Sequence, residues 1–169
     1  MKKIKELTNE VNRLKELVNK YKYDYLTGFK LRLDFEDKLK EVESRVNYHN
    51  ELYTIITIDL NGLHTINRTE GFECGDKILK KLAEYIGDIF DPSNVYRVGG
   101  DEFYVITKGK IDDSVCKRFS KIPIGITHAK IEVSHNKNDE HVFIDDIMKQ
   151  LDNEIILKKS KLKRRKNDR

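Results

Sequence analysis

The chain has 169 residues, 38% apolar and 37% charged, which allows one domain with an extension and one proper core under a heavily charged surface. No stretch approaches the roughly 18 uninterrupted apolar residues of a membrane span. The opening MKKIKELTNE also lacks the apolar centre of a secretory signal, so a cytoplasmic protein is expected. The net charge of +4 is unevenly spread: residues 158–169 hold eight basic side chains and one acidic, which leaves the remainder at −3.

Residues 1–22 carry the strongest periodicity. Ile4, Leu7, Val11, Leu14, Val18 and Tyr21 are spaced 3-4-3-4-3, the a/d seam of a coiled coil. Branched residues at a (Ile4, Val11, Val18) with leucine at most d positions favour two parallel strands, and Glu10 at g faces Lys15 at the following e. The competing reading is an amphipathic helix packed on its own domain. Three heptads are short for a free-standing coiled coil, so the globular part has to help.

Tyr25 to Gly28 break the helical pattern, and a second helix follows with Leu31, Phe35, Leu39, Val42 and Val46 on its apolar side. The β-branched run at 52–58, LYTIITI, predicts a buried strand ending at Asp59. Asn61-Gly62 turns the chain into a short helical segment through Asn67. Gly71 to Gly75 read as a turn, and Asp76 as the start of a helix carrying Ile78, Leu79, Leu82, Ile86 and Ile89 until Asp91-Pro92-Ser93 stop it. Val95–Val98 and Phe103–Ile106 flank Gly99-Gly100-Asp101-Glu102 and predict a β-hairpin. A short helix near 111–119, a strand from Ile122 to Thr127, a weakly patterned stretch to about Glu140 and a final helix from about 142 complete the chain. The pattern predicts an α+β sandwich with an antiparallel pair at its centre.

Cys74 and Cys116 are too few for a disulfide framework and too isolated for a zinc site, so both are read as thiols, Cys116 half-buried on a helix. His49, His128, His135 and His141 show no ligand spacing. The basic run at the end reads as the solvated end of the last helix, and nucleic acid is not expected as a partner.

Two carboxylates stand out. Asp59 follows a buried strand and Asp101 sits at a hairpin tip, so neighbouring strands would bring them to one rim. Paired aspartates suit a hard divalent ion such as magnesium, and glycines at 99 and 100 leave room for a triphosphate near the backbone. On these residues alone, a plain turn and a helix cap explain the pattern equally well.

Three blocks resemble the GGDEF domains of diguanylate cyclases, over about Asp24 to Lys163. DYLTGF with Arg32 and Phe35 is similar to the family's D-x-LTGL-x-NR-x-x-F opening. TIITIDLNGLHTINRTEGFECGDKILKKLA is similar to its strand, metal aspartate and G-x-x-x-G-D block, and YRVGGDEFYVI contains the signature pentapeptide. The resemblance implies a palm-like, ferredoxin-related sandwich with a mainly antiparallel sheet, organised as an N-terminal coiled-coil helix (1–23), a cyclase domain (24–163) and a basic tail (164–169).

It also implies roles. Asp59 and Asp101, with the carbonyl of Leu60, would bind Mg2+ (or Mn2+), and Glu102 would lie near the attacking hydroxyl. Asn67 and Asp76 would read guanine, whose N1–H and N2–H can both be accepted by one carboxylate. Gly99 and Gly100 would line the phosphate path, with Lys159 and Lys163 binding phosphates. The implied reaction joins two GTP into cyclic di-GMP across a homodimer held by the N-terminal helix, each subunit supplying half a site.

Departures from the family pattern are Leu31, His64, Arg68 and Phe72, and Leu162-Lys163 where glycine-arginine is usual. The last keeps charge but loses the bidentate fork. Ser93 and Phe90 stand where the family's R-x-x-D product-inhibition motif would fall, so feedback there is not expected. A cyclase with a different dinucleotide product, or a catalytically silent GTP-binding module, are the alternative readings. About 23 residues precede the domain, and no sensory module is expected among them.

Overall fold

The central strand explains the architecture. The computed structural model describes residues 1–135 and 141–167. Residues 136–140 of the weakly patterned stretch and 168–169 of the basic tail lie outside the described residues. The β-branched run forms β2 (Tyr53–Leu60), in which every residue is buried. Only a strand covered on both faces can be buried throughout.

Its neighbours are β4 (Glu102–Lys108) and β5 (Ile126–Val133), both antiparallel to it. Outside β4 lie β3 (Val95–Arg97) and the two-residue β1 (Lys30–Leu31), giving a five-stranded sheet in the order β1-β3-β4-β2-β5. The Gly99-Gly100 hairpin forms as expected, with Val95 opposite Val105 and Arg97 opposite Phe103. The pairing is antiparallel except between β1 and β3.

Alternation along β2 sorts the core into two layers. Ile56, Ile58 and Leu60 pack with α3 (Leu63–Glu70), α4 (Phe72–Gly87) and α5 (Asp113–Phe119). Tyr53 and Ile55 pack on the other face with α2 (Arg32–His49) and α6 (Ile144–Asn167). Asp59 therefore shares its parity, and its face of the sheet, with the residues packed against α2 and α6.

Three sequence expectations change. The strand predicted over Ile122–Thr127 lies instead at Ile126–Val133. Pro123, which has no N–H to donate, keeps the earlier stretch out of the ladder, although Ile122 is still buried. The true strand has one face buried and the other partly solvated, so it mixes polar and apolar residues and lacks the continuous apolar run of β2. Second, α4 starts at Phe72 rather than Asp76, with Gly71 at its N-cap at φ 89°, so Asp76 lies one turn inside the helix. Third, Leu31 belongs to β1 and not to the helix, which begins at Arg32. Pairing across 66 residues, Lys30 to Tyr96, leaves no local trace in so short a strand.

The N-terminal helix α1 (Lys2–Lys22) forms as the periodicity predicts. Its seam residues Ile4, Leu7, Val11, Leu14, Val18 and Tyr21 are 47–71% exposed, so this face does not pack on its own domain. Among the described residues no helix is long and apolar enough to cross a membrane.

Candidate active site

The register of β2 on β4 puts Asp59 directly opposite Glu102. One residue further on, the Leu60 N–H donates to the Asp101 carbonyl at 2.9 Å, extending the ladder into the hairpin turn. Asp59 and Asp101 thus meet at the same sheet rim, as their strand-end positions suggested. Asp59 is buried and Asp101 half-buried, while Glu102 is exposed.

Helix α6 crosses that rim. Ile144, Met148, Leu151 and Ile155 form its inward stripe, and the same spacing continues to Lys159 and Leu162. Lys159 therefore arrives where the next core residue would sit, and its Nζ donates to Asp59 Oδ2 at 2.5 Å. The other oxygen, Asp59 Oδ1, is buried without a partner. Burial pushes the Asp59 carboxyl above its ordinary value; the Lys159 hydrogen bond and charge pull it back, and the Asp101 charge raises it again. Glu102 is raised as well, by desolvation first and then by Asp101 and Asp59. These carboxylates repel one another and lack full solvation, an arrangement that a cation relieves.

A cleft of about 610 Å³ opens here, walled by Asp59, Leu60, Asp101, Gly125, Lys159 and Lys163 among others. In the hairpin, a side chain at Gly99 would press on the Glu102 carboxylate at 2.9 Å, whereas the space beside Gly100 is open. The donor set is two carboxylates and a main-chain carbonyl; no cluster of three His, Cys, Asp or Glu exists among the described residues. That set fits magnesium, which keeps waters and takes phosphate oxygens rather than a full protein cage. The unpartnered Asp59 Oδ1 supplies a free hard oxygen.

Asn67 and Asp76 form a separate station, outside the walls of this cleft. Asn67 ends close against the first turn of α4, and a Cβ at Gly75 would overlap Asn67 Oδ1, which is buried and unpaired. The glycine that read as part of a turn is instead the point where α3 and α4 touch. Asp76 follows it, half-buried. Of the departures from the family pattern, Phe72 is exposed at the start of α4 and His64 is exposed on α3.

Behind the hairpin, Asp24 ties two segments together. Its carboxylate accepts from the Thr27 N–H (2.9 Å), the Thr27 hydroxyl (2.7 Å) and the Arg97 guanidinium (2.8 Å). Arg97 donates its other arm to the Gly100 carbonyl at 2.7 Å. The bend after α1 is thereby linked to the tip of the hairpin.

The family model described as "Diguanylate cyclase, GGDEF domain" matches residues 21–160. The chain belongs to the GGDEF family. Among solved structures, it is similar to the coiled coil and GGDEF domain of DgcB from Caulobacter crescentus, crystallised with c-di-GMP. That match has a TM-score of 0.75 at 20% identity and covers 94% of this chain and 93% of that one. The GGDEF domain of FimX from Pseudomonas aeruginosa matches with a TM-score of 0.68 at 16% identity, over 79% of this chain and 91% of that one. At these identities the likeness shows the fold. An uncharacterised membrane protein of Staphylococcus epidermidis is 27% identical over 126 residues, which is 72% of this chain and 35% of that protein. The chain thus spans about a third of the length of this curated relative.

Within this GGDEF domain, sequence reasoning missed Arg97 and the part played by Asp24. Both fall inside quoted motifs, but a bond between residues 73 positions apart has no local signature. The pair is 12% and 11% exposed, so breaking it should be costly. Asp24→Ala is expected to destabilise the domain by about 3 kcal/mol, the lower end for removing one member of a buried pair. Burial pushes Asp24 up, but Thr27 and Arg97 outweigh it and hold the carboxyl below its ordinary value of 3.8. A depressed folded value means this stabilisation is complete above about pH 4 and is lost as the pH falls through the folded value. Urea melts from pH 7 down to 3 should therefore bring wild type and Asp24→Ala together at the acid end; a constant gap would show that the charge of Asp24 is irrelevant.

Proposed function

We propose that this domain condenses two molecules of GTP into cyclic di-GMP, releasing pyrophosphate, with one half-site from each protomer of a homodimer. The observation that carries the reading is the buried, unpartnered Asp59 Oδ1 at the rim it shares with Asp101, under a lysine from α6. In this reading Asp59, Asp101 and the Leu60 carbonyl hold magnesium. When bound, the ion offsets the charge that builds on the α-phosphate as it is attacked. Lys159 and Lys163 bind the phosphates from the α6 side of the cleft, and the open space beside Gly100 admits them near the backbone. Glu102, raised by desolvation and then by its acidic neighbours, stands beside the attacking 3′-hydroxyl as a proton acceptor.

Asn67 and Asp76 receive the guanine edge. A carboxylate there accepts two hydrogens from guanine and meets the wrong pattern in adenine. The exposed α1 seam pairs with a second copy and brings the two half-sites face to face. GTP is a cytoplasmic metabolite, so the domain works on that side of any membrane.

Incubation with each nucleoside triphosphate and magnesium, followed by mass analysis, tests this directly. Cyclic di-GMP from GTP alone is the expected product. A mixed dinucleotide would move the chemistry to a different cyclase, and tight GTP binding without any product would make the domain a silent module.

A further inference from the structure

The geometry points to Lys159 as a stand-in cation: until nucleotide binds, its ammonium neutralises the Asp59 carboxylate at Oδ2, beside the Oδ1 left for the metal, so that divalent ion and GTP each bind more tightly when the other is present. This rests on the reading of Asp59 as a metal ligand and adds a coupling between the two binding events.

Asp59 is 7% exposed at its side chain, and a carboxylate so deep requires a partner. In this structure that partner is Lys159, bonded at 2.5 Å to Oδ2. The adjacent Oδ1 has none. The carboxylate is thus half-satisfied, by a cation that is mobile. Lys159 is 38% exposed, sits on a flexible four-carbon stem and keeps further donors free to rotate. It can swing from the aspartate towards the cleft without any movement of α6.

A divalent ion that approaches Asp59 while the ammonium is there meets a like charge within contact distance. Metal alone therefore has to displace Lys159 into water and gains only the carboxylates. A triphosphate changes the balance. It brings several negative charges into the same cleft, which draw Lys159 off Asp59 and hold it while the metal binds the freed carboxylate. By linkage, nucleotide then tightens metal binding by the same factor by which metal tightens nucleotide binding.

Lys163 provides an internal control. It lines the same cleft and carries the same charge, but the hydrogen bond to Asp59 belongs to Lys159. A general electrostatic effect would be shared by both lysines, while a stand-in role belongs to one.

The test is a titration of the full chain with Mn2+, followed by electron paramagnetic resonance of the free ion, with and without GTP or a non-hydrolysable GTP analogue. Lys159→Met should bind Mn2+ alone about tenfold more tightly than wild type, within the usual range of coupling factors. The same variant should bind Mn2+ with nucleotide more weakly, because the phosphate contact is gone. Opposite signs in the two titrations are the signature. Lys159→Gln, which stays polar and can still bond Asp59, should move each titration in the same direction as Lys159→Met does and serves if the methionine variant does not fold. Lys163→Met should leave the affinity for Mn2+ alone at the wild-type value.

If Lys159→Met and Lys159→Gln bind Mn2+ alone no better than wild type, while wild type binds it in the presence of GTP, the stand-in role is wrong and the metal site stands. An equal gain in Lys163→Met overturns the inference too, by reducing it to net charge. No Mn2+ binding by wild type even with GTP removes the metal site itself, and this inference with it.

Discussion

Asp101→Ala is expected to lower cyclic dinucleotide formation by about a thousandfold or more, since it removes a ligand from the centre that stabilises the reacting phosphate. Asp101 is a cleaner probe than Asp59. Asp59 is buried and bonded to Lys159, so its removal would strand a cation at the sheet rim. Asp101 is half-buried in a turn, and its contribution to the ladder is its carbonyl, which accepts from Leu60 N–H and survives in alanine. The fold should therefore persist, with a thermal midpoint within a few degrees of wild type. Product can be followed by chromatography and pyrophosphate release by a coupled assay. Undiminished turnover by Asp101→Ala would remove the two-aspartate site from the mechanism, because among the described residues Asp59 is the one other carboxylate in the cleft wall.

The second large effect concerns assembly. Deleting residues 1–20 should leave a folded, GTP-binding domain that is mostly monomeric at micromolar concentration. The sheet and both core layers are built from residues after α1, so its loss exposes none of the buried core. Six seam residues are exposed in the single chain, and burying them against a second copy is worth roughly 1.5 kcal/mol or more for each large side chain fully covered. A paired helix holds the two half-sites at an effective concentration on the order of millimolar. Without it, specific activity at about 1 μM should fall by roughly a hundredfold and then climb with protein concentration. Val11→Asp with Leu14→Asp should do the same by burying charge in the seam. Sedimentation that finds either variant still dimeric, with turnover unchanged, would place the dimer contact elsewhere in the domain.

How much of this was legible beforehand depends on distance along the chain. The heptad seam, the buried run of β2 and the Gly-Gly hairpin are patterns within ten or twenty residues, and each is present where the residues predicted it. The family resemblance rests on short blocks of the same kind, which is why 140 residues could be matched to a GGDEF model. Strand β5 failed that test for a physical reason. As an edge strand it is half-solvated and carries His128, Lys130 and Glu132 among its apolar residues, so its composition resembled a loop. Gly75 was misplaced because a glycine that lets two helices touch and a glycine that turns the chain look the same in one dimension.

The amino-acid sequence by itself determined the periodicities: which segments wind into helices, which strand is buried on both faces, and where the acidic hairpin turns. These follow from hydrophobic spacing and backbone freedom, which act between near neighbours. Only the tertiary structure decided which charges meet. Lys159 reaches Asp59 across 100 positions, and Asp24 clasps Arg97 across 73. Sheet register and helix stripe bring Lys159 and Asp59 to one rim, and the bend after α1 brings Asp24 onto Arg97; in each pair a carboxylate shielded from water is too costly to leave unpaired.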